Sequence, residues 1–363
     1  MIFPPLEKGG WGDFLTSVNI VIAGFGRVGQ AFARVVAEKR KYCRDRYGLD
    51  LVLRAALKSD GGILCSESLP LESVIDGTSG GLRGSVLWRP GLRFADVASA
   101  MATEPGVLVE CTPSDLRTGE PGLTHMALAL QNGWHVAAAS KGALVVKYRD
   151  LMNVAAGQGV RLMASGAAAA ALPTLDVGVG SLAGAQVLGI EGILNGTTNF
   201  ILTRMEEGVT YAEALTEAQS RGIAEPDPTM DVDGWDTAAK LVIIGNAVIG
   251  AAFRLDEVAV SGIRDIATHL VPKAAEAGKA LRLMGKCAKE DGTHPWKLEV
   301  GLALLDADHP LFGVRGTTKG VTFYTDTMGP VTVIGGRSDP RGTGAALLKD
   351  IIAIYAGSSR PQN

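Results

Sequence analysis

Residues 18–40 read VNIVIAGFGRVGQAFARVVAEKR, and this stretch decides the fold. Val18 to Ala23 form a largely apolar, β-branched run, the pattern of a strand buried on both faces. Gly24, Gly26 and Gly29 follow at GxGxxG spacing, and an amphipathic run opens directly after them. Strand, glycine turn and helix in that order suit a dinucleotide. Gly24 permits the turn, Gly26 lets the backbone approach a pyrophosphate, and Gly29 lets helix pack on strand. The anion then sits at the helix N-terminus, where free N–H groups and the helix dipole favour it. Gly24, Phe25, Gly26, Arg27, Val28 and Gly29 are the candidate cofactor-binding residues of this loop.

Working outward, LDLVLRAAL (49–57) predicts the second strand, which ends at Lys58, Ser59 and Asp60. A carboxylate at this strand end serves the ribose 2′-hydroxyl of NAD, whereas cations serve the 2′-phosphate of NADP. Lys58 and Arg27 favour NADP, and Asp60 keeps NAD open. GVLVECTPSD (106–115) reads as another buried strand ending in a polar turn, GLTHMALALQNG (122–133) as a helix, and WHVAAAS (134–140) as a strand leading to Lys141. This alternation predicts a doubly wound parallel sheet with Lys141 on its ligand side. A lone lysine is usually a surface residue; its place at a strand's C-terminal end weighs toward the site.

After about residue 150 the pattern changes. QVLGIEGILNGTTNFILTRMEEG (186–208) predicts a strand, an Asn195-Gly196 turn and a helix capped by Thr197, Thr198 or Asn199. Hydroxyls and backbone N–H groups at such a terminus can hold a carboxylate, though a plain turn and cap fits equally well. GIAEPDPTMDVDGWDTAAK (222–240) then concentrates Glu225, Asp227, Asp231, Asp233 and Asp236. Acid-rich loops are usually only solvated, and the glycine and closing Glu of a calcium loop are missing. Asp236 and Lys240 could be an ordinary i,i+4 pair worth about 0.3–0.5 kcal/mol. Lys240, however, precedes Leu241, Val242, Ile243 and Ile244, so it must snorkel, pair or line a cleft. An acidic loop beside a lone ammonium suits an amino-bearing substrate that undergoes proton-coupled chemistry.

Composition bounds the rest. With 363 residues, 47% of them hydrophobic, the chain can bury a large core and form two domains. A net charge of −3 provides no basic field for nucleic acid. Cys43, Cys65, Cys111 and Cys287 show no metal-ligand spacing and read as free thiols of a reducing compartment. The five histidines, among them His125, His294 and His309, form no recognisable pair or triad. Residues 162–190 carry only Asp176 as a charge, but Pro173 and many small residues argue for a buried subunit or domain interface rather than a membrane span. Residues 1–17 lack the features of a secretion signal and read as a loose extension.

Taken in order, these segments resemble homoserine dehydrogenase. AQSRGIAEPDPTMDVDGWDTAAK (218–240) carries the family's signature spacing, and GILNGTTNFILTRM (192–205) is similar to its substrate-side motif. GFGRVG, VECTPS, VAAASKGAL and KGVTFYTDTMG extend the resemblance over roughly residues 18–356. It implies reversible NAD(P)-dependent reduction of L-aspartate 4-semialdehyde to L-homoserine, in the biosynthesis of threonine, methionine and isoleucine. By the family's pattern, Gly196 and Thr197 contact the substrate, and Glu225, Asp231 and Asp236 orient it. Lys240 resembles the proton donor, Lys141 the second lysine between cofactor and substrate, and Thr112 the nicotinamide-side residue. In the oxidative direction Lys240 acts as base, a role its apolar neighbours favour and Asp236 opposes.

Two segments depart from the family. SGAAAAALP (165–173) has Ser165 where many members carry the Glu of a monovalent-cation loop. Only the backbone positions Ala168, Ala170 and Leu172 remain as ligands, which argues against the cation. GGRSDPRGTGAA (335–346) lacks the usual glycine-alanine pattern. Neither a kinase region nor a regulatory domain is recognised, so feedback inhibition through one is not expected. The expected protein is a cytoplasmic α/β homodimer without membrane or nucleic-acid partners. A Rossmann-type NAD(P)-binding domain spans 18–150, with 335–363 packing back on it. A substrate and dimerisation domain with a mixed sheet spans 151–334. The alternatives are another Rossmann reductase of a small amino-acid aldehyde or keto acid, and a catalytically silent NADP-binding sensor.

Overall fold

The computed structural model describes residues 15–69, 81–289, 295–336 and 339–356. Most of the expected N-terminal extension, His294, residues 337–338 and the polar tail lie outside the described residues. The chain opens with β1 (Thr16–Ala23), α1 (Arg27–Tyr47) and β2 (Leu49–Lys58), followed by β3 (Gly61–Leu64) and β4 (Arg89–Pro90). Next come α2 (Phe94–Ala100), β5 (Val107–Glu110), α3 (Gly122–Gln131), β6 (His135–Ala138), α4 (Gly142–Gly157) and β7 (Leu162–Met163). The strands form one sheet in the order β4-β3-β2-β1-β5-β6-β7.

From β2 to β7 this sheet is parallel; β3 and β4 add an antiparallel edge. β1 lies at its centre, and Val18, Ile20, Val21, Ile22 and Ala23 are fully buried. That is why the run is largely apolar, with Asn19 its one polar residue, rather than alternating. The sheet continues past residue 150, because β7 pairs with β6.

α5 (Ser165–Ala168) and a π-helical turn (Asp176–Ser181) connect the first sheet to the second. The second sheet comprises β8 (Val187–Ile193), β9 (Val258–Val260), β10 (Ala280–Lys289), β11 (Trp296–Leu305), β12 (Lys319–Thr325) and β13 (Pro330–Gly335). Its order is β13-β12-β8-β10-β11-β9, antiparallel except where β9 meets β11. Between β8 and β9 run α6 (Gly196–Glu206), α7 (Tyr211–Ser220), α8 (Thr229–Val232) and α9 (Trp235–Ile249); α10 (Leu270–Glu276) precedes β10.

α9 is apolar almost all round because it is enclosed. It packs against β10 of the second sheet and also against α4 and α5. At Gly285 of β10 a Cβ would lie 3.2 Å from Thr237, so glycine there lets α9 approach the sheet closely. Leu241, Val242, Ile243 and Ile244 are fully buried, each contributing about 1.5–3 kcal/mol by removal from water.

The chain returns to the first sheet through α11 (Pro340–Ala356). Leu347, Leu348, Ile351 and Ile354 join the core of Phe32, Val35 and Val36 from α1. A Cβ at Gly344 would fall 2.9 Å from the Phe32 backbone, so glycine permits this contact. Arg341 grips Glu38 with two hydrogen bonds at its rim.

Candidate active site

The glycine loop provides a cradle that larger residues would fill. Gly24 has φ +89, and a Cβ on it would come within 2.5 Å of the Cys111 carbonyl carbon at the end of β5. A Cβ on Gly29 would strike the Gly24 carbonyl oxygen, whereas Gly26 has nothing within 4 Å. The open backbone at Gly26 leaves the space that the glycine spacing calls for. Phe25 is buried, and its N–H donates to the Leu57 carbonyl at 2.8 Å. Arg27 is exposed and Val28 half-buried.

At the ribose corner, Lys58 ends β2 and is half-exposed. Asp60 is not free: Arg83 Nε donates to its Oδ2 at 2.7 Å. That bond holds the Asp60 carboxyl below the usual carboxylate range. The turn after β5 is braced from below. Buried Glu110 accepts the Thr112 N–H at 2.8 Å and the Thr112 hydroxyl, and its other oxygen meets His125 Nδ1 at 2.9 Å. Ser114 Oγ accepts the Lys141 N–H at 2.8 Å, tying the ends of β5 and β6 together. Sequence reasoning passed over Glu110, Ser114 and Arg83. Only Glu110 left a signal, an acid inside an apolar strand.

The lysines and acids converge where α9 meets α4. Lys240 Nζ donates to Asp236 Oδ2 at 2.5 Å and to the Leu194 carbonyl at 2.9 Å. Lys141 Nζ lies 3.5 Å from Asp236 Oδ1. Burial pushes the Asp236 carboxyl up, but Lys240 and Lys141 outweigh it and hold the group well below its ordinary value. Asn195 Nδ2 donates to Asp231 at 2.7 Å and to Asp236 at 2.8 Å. Burial, reinforced by the Asp236 charge, raises the Asp231 carboxyl.

Asn195 also corrects the expected cap. Its side chain, not Thr197, Thr198 or Asn199, caps α6 by accepting the Thr198 N–H at 2.9 Å. Gly196 and Thr197 are buried in the first turn, and the Thr197 hydroxyl donates to the Ile223 carbonyl at 3.1 Å. Glu225 stands apart from this cluster. It is exposed and faces Arg27 of the glycine loop at 3.9 Å.

Lys319 on β12 was not singled out from the sequence. It is 2% exposed and donates to the Ala169 carbonyl at 2.7 Å. Burial, aided by the nearby charge of Lys240, lowers its pKa to about 7. The 165–173 segment offers a poor seat for the monovalent cation. Ser165 supplies no charge, its hydroxyl accepts from Lys349 Nζ at 2.7 Å, and the Ala169 carbonyl is taken by Lys319. Ala168 and Leu172 are buried, and Ala170 takes a left-handed turn with φ 55. An alkali ion would have to share this loop with the Nζ groups of two lysines.

A glycine-turned strand and helix in a parallel sheet, with Lys141 after β6 meeting Asp236 and Lys240 of α9, is the arrangement of an NAD(P)-dependent oxidoreductase. A family model described as homoserine dehydrogenase matches residues 173–352, and one described as homoserine dehydrogenase, NAD binding domain, matches residues 24–165. The homoserine dehydrogenase of Methanocaldococcus jannaschii is 35% identical over 346 residues, covering 94% of this chain and 100% of that protein. An NAD(+)-dependent homoserine dehydrogenase of Pseudomonas canavaninivorans is 31% identical over 352 residues, covering 96% and 99% respectively. The solved structure of a hyperthermophilic archaeal homoserine dehydrogenase in complex with NADPH matches with a TM-score of 0.79 at 27% identity, covering 95% of this chain and 99% of that one. The chain belongs to the homoserine dehydrogenase family. Its reaction is the NAD(P)-dependent interconversion of L-aspartate 4-semialdehyde and L-homoserine. Among the described residues, no helix is long and apolar enough to cross a membrane.

Proposed function

We propose that Lys240 delivers the proton in this reaction and that Lys141 and Asp236 set its position and charge. The observation that carries this reading is the seating of the Lys240 ammonium. Asp236 and the Leu194 carbonyl fix two of its directions, and Lys141 approaches the same carboxylate from the first sheet. When bound, a reduced nicotinamide supplies the hydride to the aldehyde carbon. Lys240 gives a proton to the aldehyde oxygen, so the aldehyde becomes the alcohol of homoserine. In the reverse direction the neutral amine of Lys240 takes that proton back.

The substrate is an amino acid, and each of its charges has a counterpart here. Asp231, held by Asn195, supplies a carboxylate for the substrate ammonium. Gly196 and Thr197, at the start of α6, supply backbone N–H groups for the substrate carboxylate. Glu225, opposite Arg27, is the outermost of the acids that orient the substrate in this reading. Thr112, braced by Glu110, faces the nicotinamide side.

NADP is the preferred cofactor in this reading. Asp60 is engaged by Arg83, so it is poorly placed to accept a ribose 2′-hydroxyl, while Lys58, Arg27 and Arg83 favour a phosphate. We further assign the protein to the cytoplasm as a homodimer. The four cysteines are free thiols. Met284, Gly301, Leu302, Ala303 and Leu304 line a concave, partly apolar patch on β10 and β11 that suits a second copy. Light scattering that shows a monomer at working concentration would count against the dimer.

The test follows oxidation of NADPH and, separately, NADH by their absorbance, with purified protein and L-aspartate 4-semialdehyde. Turnover by the wild type and a fall of at least about 10²-fold in Lys240→Ala are expected, with NADPH binding retained. A Lys240→Ala enzyme that turns over normally would remove Lys240 from the proton step.

A further inference from the structure

The loop from Ser165 to Leu172 is held at both ends by lysines that are remote in sequence. Lys349, on α11, donates to Ser165 Oγ at 2.7 Å and to Asp176 Oδ1 at 2.5 Å, and it ion-pairs with Asp350 Oδ1 at 2.9 Å. Asp350 is fully buried, and its Oδ2 accepts the Ser165 N–H at 3.0 Å. Farther along, Lys319 holds the Ala169 carbonyl, just before the left-handed turn at Ala170.

The charge arithmetic at Ser165 is unusual. Two carboxylates, Asp176 and Asp350, face one ammonium in a half-buried to buried setting. Asp176 Oδ2 has no hydrogen-bond donor among the described residues, so Lys349 is the group that balances it. Unbalanced buried carboxylates carry a large desolvation penalty. An ammonium and an alkali-metal ion carry the same charge and both take oxygen partners. A lysine differs in being tethered, with three directed donors. Ser165, a neutral residue with a short side chain, leaves room for that tethered cation where a Glu would project.

We propose that Lys349 is a built-in monovalent cation: its ammonium orders the 165–176 segment in place of an alkali-metal ion, and the enzyme is indifferent to which such ion is in solution. The segment bears on the site because Ala169 binds Lys319, and because α5 packs between α9 and α11. Lys349 is therefore a positioning residue that acts through Ser165 and Ala169 on the wall behind Lys240.

The experiment compares wild type and Lys349→Ala in lithium, sodium, potassium, ammonium and tetramethylammonium chloride at one ionic strength. Tm, kcat and KM are read in each. The wild type is expected to give the same values throughout. Lys349→Ala is expected to lose stability in tetramethylammonium, which is too large for the vacated space. Potassium or ammonium should then raise its Tm and restore its KM with saturation, as binding to the folded state demands. A lysine that merely packs would not be rescued by a small cation.

Wild-type Tm or KM that improves with one alkali ion over tetramethylammonium overturns the proposal. So does a folded Lys349→Ala protein that ignores every cation. If the variant is insoluble, refolding in each salt decides: recovery in potassium or ammonium alone supports the proposal, and failure in all of them counts against it. The thermal readout is independent of the role given to Lys240.

Discussion

Lys240 and Asp236 meet at 2.5 Å across one turn of α9, and Lys141 reaches the other oxygen of the same carboxylate from the first sheet. Asp236 thus places one carboxylate between two ammonium groups that different layers of the protein supply. A helix pair of this spacing is normally a minor stabiliser on a surface. Here the pair is largely buried and shares its carboxylate with a second lysine.

Asp236→Asn keeps the shape and removes the charge. The two lysines are then left facing a neutral amide. We expect kcat to fall by about 10²–10³-fold while NADPH affinity stays nearly unchanged. Steady-state kinetics and a fluorescence titration with NADPH separate the two quantities; a kcat within experimental scatter of wild type would contradict the assignment. The pH sense is also determined. The folded-state pKa of Asp236 is depressed, so its stabilisation is present above about pH 4. It is withdrawn as the pH falls toward the folded-state value.

Asn195 has two duties that substitution can divide. Asn195→Ala removes the cap of α6, at a cost of about 1 kcal/mol, and leaves Asp231 and Asp236 without their shared donor. Tm should drop by a few degrees, and KM for L-aspartate 4-semialdehyde should rise by about tenfold. Asn195→Ser keeps a capping oxygen but not the amide, so it should recover Tm and leave KM high. If both quantities recover together, the amide bridge does not matter to the substrate.

Arg83→Ala should loosen cofactor choice. It releases Asp60 from its 2.7 Å bond and removes a cation from the ribose corner. The ratio of kcat/KM for NADPH over NADH should fall by about tenfold. Asp60→Ala should move the ratio the other way. An unchanged ratio in both variants would place the 2′-phosphate elsewhere.

Lys319 makes stability depend on pH on the alkaline side. Its pKa is lowered from 10.5 to about 7 in the folded protein. Between these values the unfolded chain binds the extra proton, so folding gains stability as pH rises. Below about pH 7 both states hold that proton, and the buried charge exerts its full penalty. Lys319 is faced by Lys240 and Asp236 of α9, Lys141 before α4, and Asp339 before α11. Lys319→Met should therefore be relatively most stable at pH 6 and lose that advantage toward pH 9. Urea unfolding of both proteins at several pH values checks this, and parallel curves would refute it.

Much of the proposed site is legible in the sequence because its signals are local. The glycine spacing from Gly24 to Gly29, the acids from Glu225 to Asp236, and a lysine stranded in an apolar helix each lie within one short segment. The cap of α6 was misplaced because Asn195, Thr197, Thr198 and Asn199 all have suitable side chains, and only backbone direction selects Asn195. The antiparallel β3–β4 edge escaped notice because its strands are short, and among the described strands β4 pairs with β3 alone.

By itself, the sequence determined the parallel sheet with its glycine turn and the family, and it singled out Lys141, Asp231, Asp236 and Lys240 as candidates. Periodicity, glycine conformation and charge spacing act over a few residues and can be read along the chain. Tertiary structure alone decided which groups face one another. It placed Lys141 on Asp236, buried Lys319 against Ala169, and brought Lys349 to Ser165 across the whole second sheet. The physical reason is that burial and ion pairing depend on distance in space. What packs around a lysine fixes which carboxylates and carbonyls its ammonium can reach.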